Sequence, residues 1–150
     1  MINLSKNLTF RLSRLSQEFA NQASFLLKQH SDFSLSEWRL MVLFVRGSVV
    51  SSREVMEQTR FDRALVSRSL KSLENQGIVD VKPDPSDGRK QLVSVTPVGL
   101  KAFEHAEKVM QKRQDLIVNQ YSSAELEQLF CLLERLEPVA KRRDIGILDE

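Results

Sequence analysis

The sequence predicts a mainly α-helical fold that carries one small β-hairpin. Serine is followed three residues later by glutamate at Ser34/Glu37, Ser51/Glu54 and Ser122/Glu125. That spacing lets two orphan amides at a helix start be satisfied reciprocally, so each pair marks a helix N-terminus. Apolar residues recur at helical spacing through most of the chain. The exception is a pair of short β-branched runs, "IVDV" and "LVSV", on either side of the turn-forming stretch "KPDPSDGRKQ" at residues 82–91.

Taken in order, the first helix is expected over 5–30, where Leu8, Leu12, Leu15, Phe19 and Leu26 fall at near-helical spacing. The second, 35–46, reads "LSEWRLMVLFVR". It is apolar around most of its circumference and so belongs at the centre, with Gly47 ending it. A short third helix, 52–59, follows Ser51. Asp62 caps the fourth, 63–76, and Gly77 terminates it. Strands are expected at about 78–82 and 91–96. Between them Pro83, Asp84, Pro85, Ser86, Asp87 and Gly88 exclude helix and favour tight turns. Thr96 caps a fifth helix, 97–119, with Pro97 at a first helical position. Ser122 opens the sixth, 123–143. No internal repeat, low-complexity tract or linker appears.

The chain of 150 residues is long enough for one domain with a real core, and 41% hydrophobic with 28% charged residues is ordinary for a soluble protein. No apolar run approaches the roughly 18–20 residues that cross a bilayer. The N-terminal stretch lacks the apolar middle of a signal peptide. A single cysteine, Cys131, rules out an internal disulfide and fits a reducing compartment. A cytoplasmic location is expected. The net charge of +2 is too small to argue for nucleic acid by bulk electrostatics, so the position of the cations must decide.

The helices 5–30, 97–119 and 123–143 are long for such a chain. The last carries Leu126, Leu129, Phe130, Leu132, Leu133, Leu136 and Val139, more apolar surface than a peripheral helix needs. The economical partner for long amphipathic terminal helices is a second copy of the chain, with a monomeric bundle as the alternative. Residues 1–34 and 97–150 are therefore expected to form dimerisation helices.

Residues 52–76 hold two short helices joined by "TRFD", the spacing of a helix-turn-helix. On the second of them Val66, Leu70 and Leu73 form one stripe toward the core. Ala64, Ser67, Arg68, Lys71 and Asn75 lie opposite, with Arg63 near the edge, giving an outer face read as cationic and free of acid. Small residues admit close approach to base edges, and arginine can bind guanine at two points. A solvated helix face is the bland reading of the same pattern. A hairpin directly after such a helix makes a winged helix over 35–96, whose tip would deliver Arg89 and Lys90 to phosphates or a narrow minor groove. Asp87 would repel phosphate if free and is expected to pair with Arg89.

The run "FDRALVSRSLKSLENQGIVDVKPDPSDGRKQLVSVTPVG" closely resembles the winged-helix core of the MarR family of bacterial transcription regulators. Its marks are the "LVSRSLKSLENQGIV" segment, the Asp87-Gly88-Arg89 wing pattern and the closing "LVSVTPVG". The order and lengths of the helices fit that architecture over essentially the whole chain. The resemblance implies a homodimer with intertwined terminal helices and two winged lobes that read a palindromic operator on double-stranded DNA, usually as a repressor. It places Ser67 and Arg68 in the major groove, Ala64 and Lys71 beside them, and Arg89 in the minor groove. Many relatives carry a second arginine where this chain has Gly88, so the wing here has one cation fewer. The resemblance also implies a small, often phenolic, effector held between the dimer helices and the lobe. Phe19, Trp38, Phe25 and Phe44 are the aromatic candidates to line such a cavity, and core packing is the simpler reading of each.

Other chemistries find little support. Some relatives sense oxidants through a cysteine, but Cys131 lies in the apolar stretch "LFCLLERL", where a buried, inert thiol is expected. His30, His105 and Cys131 do not cluster as a metal site would require, and no cofactor is expected. No phosphate loop, nucleophile elbow or His-x-x-x-His pair suggests an enzyme. A winged helix that binds another protein is the remaining alternative, and salt dependence separates it from DNA binding.

Overall fold

Caps set the helix boundaries in the computed structural model, which describes residues 3–47, 52–59, 61–86 and 91–142. The elements are α1 (Leu8–His30), α2 (Leu35–Arg46), α3 (Ser52–Thr59), α4 (Arg63–Asn75), β1 (Val79–Pro83), β2 (Gln91–Val95), α5 (Pro97–Val118) and α6 (Ser123–Lys141). The first helix starts later than the sequence suggests. A 3-10 turn at Leu4–Lys6 precedes it, and the Asn7 side chain accepts the Phe10 amide at 2.9 Å. Asparagine caps as well as serine does, but no glutamate follows at the third position to advertise it. Both serine–glutamate boxes at Ser34/Glu37 and Ser122/Glu125 close with both of their bonds. Ser51 lies outside the described residues.

By its internal contacts the chain divides into residues 1–111 and 112–150. In the first unit α2 is the central element and packs against α1, α3, α4 and β2. Leu40 and Met41 on it are completely buried. Trp38 stacks on Phe103 of α5 with ring centroids 4.9 Å apart and planes 11° from parallel. The hairpin is antiparallel, with Val79 opposite Val95 and Pro83 opposite Gln91. Val79 and Val93 turn into the core while Asp80 and Ser94 face solvent, the alternation a half-covered ribbon requires. Pro83, at the end of its strand, removes no ladder donor from a strand interior.

One junction ties α4, the hairpin and α5 together. Gly77 ends α4 with a φ of 67°, a left-handed conformation that costs glycine nothing. Thr96 donates its hydroxyl to the Gly77 carbonyl at 2.7 Å and the Ile78 carbonyl at 3.2 Å, and accepts the Gly99 amide at 3.0 Å. The expected cap of the fifth helix thus also clasps the chain that leaves the fourth. Gly47 behaves differently: it caps α2 with extended backbone, φ −114°, so nothing there demands glycine.

In the second unit α6 buries none of its side chains in the single chain. Leu129, Phe130, Leu132, Leu133 and Val139 all stand exposed, and so does Cys131. The expectation of a buried thiol fails because an apolar helical stretch is buried only where another surface covers it. On α1, in the first unit, Leu8, Leu12, Leu15 and Phe19 are likewise exposed, Leu8 by 54%. Among the described residues no helix is long and apolar enough to cross a membrane.

Candidate nucleic-acid interface

The connection between α3 and α4 is built from local hydrogen bonds. The Thr59 hydroxyl donates back to the Val55 carbonyl at 2.6 Å and accepts the Phe61 amide at 3.2 Å, which closes α3. Asp62 then accepts the Leu65 amide at 2.7 Å and opens α4. A carboxylate at that position also complements the positive end of the new helix. Above the turn, the Arg39 guanidinium of α2 lies over the Phe61 ring, 5.7 Å from its centroid. Sequence inspection did not single out Arg39, because its pairing with Phe61 across two helices leaves no local pattern.

The two faces of α4 separate as expected. Val66, Ser69, Leu70 and Leu73 are buried. Arg63, Ala64, Ser67, Arg68, Lys71 and Asn75 are exposed. Among the described residues none of Arg63, Arg68 and Lys71 is held in an ion pair, so all three present their charge to solvent. The acid-free description needs one correction. Glu74 is also exposed, and it falls on the flank of Ser67 two turns further along. The face without acid is the N-terminal part of the helix, residues 63–71, which is the part that reaches base edges in this motif.

At the wing, Asp84 receives both the amide and the hydroxyl of Ser86, at 2.7 and 2.6 Å, and so starts the connection with a tight side-chain turn. Asp87, Gly88, Arg89 and Lys90 lie outside the described residues. Of the aromatic residues considered for an effector, Phe19 is 36% exposed on α1 and Phe25 is exposed as well, whereas Phe44 is buried and Trp38 is occupied by its stack on Phe103. Among the described residues no group of three or more His, Cys, Asp or Glu side chains is placed to hold a metal ion.

One buried carboxylate stands behind this surface. Glu37 of α2 is 7% exposed and faces α4. Burial pushes its carboxyl up, but hydrogen bonds from Ser72, Ser34 and Gln76 outweigh that and hold it below the ordinary glutamate range. A depressed folded-state value means the contribution to stability is present at neutral pH. It is lost as acid titrates the group below the ordinary carboxylate range.

Residues 31–90, which span α2 to the wing, match the sequence model of the MarR family. Over that stretch, about two fifths of its length, the chain is similar to the MarR family. The HTH-type transcriptional regulator YdgJ of Bacillus subtilis (strain 168) is 28% identical over 103 residues, 69% of this chain and 63% of its own. The chain therefore spans somewhat less than two thirds of that relative's length. Among solved structures, a MarR/EmrR family transcriptional regulator from Acinetobacter sp. ADP1 superposes with a TM-score of 0.84 at 25% identity, covering 93% of this chain and 98% of its own. MepR of S. aureus, solved as a DNA complex, superposes with a TM-score of 0.80 at 20% identity, covering 90% and 99%. That second likeness concerns the fold alone.

Proposed function

We propose that the chain is a sequence-specific transcriptional regulator that occupies a palindromic operator as a homodimer and acts as a repressor in the cytoplasm. The observation that carries this reading is the N-terminal face of α4, where Arg63, Arg68 and Lys71 stand exposed beside Ala64 and Ser67 at the end of a helix-turn-helix. Arg68 and Ser67 read base edges, Ala64 permits close approach, and Lys71 and Arg63 meet phosphates. Arg89 and Lys90 supply the wing's cations, with Asp87 directing Arg89. The MarR-type fold shared with a protein solved on DNA supports the same assignment.

Two lobes that read half-sites on one face of a duplex need centres about 34 Å apart, one helical turn. The dimer helices provide that spacing, and the apolar residues exposed on α1 and α6 supply the surface for it. Leu133→Asp is expected to yield monomers by light scattering. It should weaken operator binding by roughly 100-fold or more, because the second half-site no longer adds its avidity. A variant that stays dimeric would move the interface off α6. Relief by a small aromatic effector belongs to the same reading, and such a ligand acts only by binding one lobe spacing more tightly than the other. Phe19 and Phe25 are the accessible residues for that contact, since Phe44 is buried and Trp38 is already stacked.

The test of DNA reading itself is capture of genomic fragments by the purified chain, followed by a salt series on a retained duplex. Binding through several phosphates falls steeply with salt. Affinity indifferent to salt would point instead to the protein-binding alternative.

A further inference from the structure

Glu37 does more than a helix cap requires. Its counterpart at the other serine–glutamate box is Glu125, whose bonds run only to Ser122 and which is exposed. Glu37 makes the same bond to the Ser34 amide, at 2.7 Å through Oε2. Yet it is buried, and its other oxygen, Oε1, receives the Gln76 side-chain amide of the α4 cap at 3.5 Å. Gln76 also donates to the Ser72 hydroxyl at 3.1 Å, so its side chain bridges α4 and the carboxylate. One turn away, Ser69, buried on α4, donates to Ser36 of α2 at 3.1 Å. Among the described residues Glu37 is the only buried charged side chain. A lone carboxylate in that position is retained against its desolvation because both of its oxygens accept hydrogen bonds.

We propose that Glu37 is a positioning residue for DNA recognition: it fastens the C-terminal end of α4 to the start of α2 and so fixes how the exposed face of α4 is presented. This rests on the DNA-binding reading above. The helix that is held carries Ser67 and Arg68 a little over two turns, and Lys71 about one and a half turns, before the Gln76 end of the fastening. A rigid helix turns a small rotation at one end into a displacement at the other, and base contacts tolerate little displacement. Non-directional packing by Leu70 and Leu73 fixes the helix against the core but leaves its rotation less sharply set than directional bonds do.

The experiment compares Glu37→Ala, Glu37→Gln and Glu125→Ala in the full chain. Both alanine variants lose a cap, but only the first loses the bond to α4. Amide hydrogen exchange in the free protein is followed at Gln76, Gly77 and Ile78, whose amides close the end of α4, with α5 amides as the internal reference. Glu37→Ala is expected to speed exchange there by roughly tenfold over the reference, and to lower the ratio of operator to random-DNA affinity by roughly tenfold. Glu37→Gln, which keeps one acceptor oxygen, should fall between it and the parent. Glu125→Ala should change neither. Exchange that rises evenly along the chain, or an unchanged affinity ratio in a folded Glu37→Ala protein, overturns the proposal. Should the parent itself fail to distinguish the two DNAs, the regulator reading falls separately, and the exchange result still decides whether Glu37 fastens α4.

Discussion

Replacing Gly99 by alanine is expected to destabilise the protein by about 3 kcal/mol, the upper part of the range for inserting a methyl where none fits. Gly99 lies in the first turn of α5, and a Cβ there would sit inside contact distance of the Ile78 carbonyl oxygen and 2.9 Å from its carbon. Both obstructing atoms are backbone, so no side chain can swing aside. The carbonyl is held in place besides, by the Thr96 amide at 3.1 Å and the Thr96 hydroxyl at 3.2 Å. The added methyl must therefore push α5 off the strand or break the clasp at Thr96. In a chain this long the expected fall in Tm is about 10 °C, read at matched protein concentration because dimerisation shifts Tm too. Gly77→Ala is the informative companion. It meets nothing within 4 Å and suffers only from its positive φ, so about 1 kcal/mol is expected. If Gly99→Ala costs no more than Gly77→Ala, α5 does not start against Ile78 as described.

The second large effect falls on recognition, with stability left nearly unchanged. Arg68→Ala removes an exposed side chain opposite the buried stripe and replaces it with the best helix former, so folding should be almost unaffected. Operator binding should lose ~1–3 kcal/mol while random DNA loses much less, the signature of a two-point contact to a base. Fluorescence anisotropy on both duplexes at one salt concentration measures this. Equal losses on the two DNAs would make Arg68 a phosphate contact, and the salt slope would then fall by about one unit.

Local chemistry explains what was legible in the sequence. The bounds of α2 are legible to the residue and those of α4 to within one, because serine, aspartate and glycine act on amides and carbonyls a few positions away. The valines of the hairpin announced a half-buried ribbon for the same reason. What escaped depends on segments distant in sequence. Gly99 looked like an ordinary first-turn residue until Ile78 was placed against it. Glu37 was read as a cap, and its second role appears only once Ser72 and Gln76 lie beside it. Cys131 was expected inside from its apolar neighbours, but burial is a property of what packs on a helix and not of the helix alone. Of the candidate site, the side of α4 that faces outward was visible from helical periodicity, and only Glu74 on its flank was passed over.

Sedimentation of the purified chain with a duplex recovered from genomic DNA asks most directly whether paired copies grip a single palindrome. Two chains per duplex are predicted, in a complex whose log affinity drops by several units per unit of log salt. One chain per duplex, or an association that salt leaves alone, would contradict it.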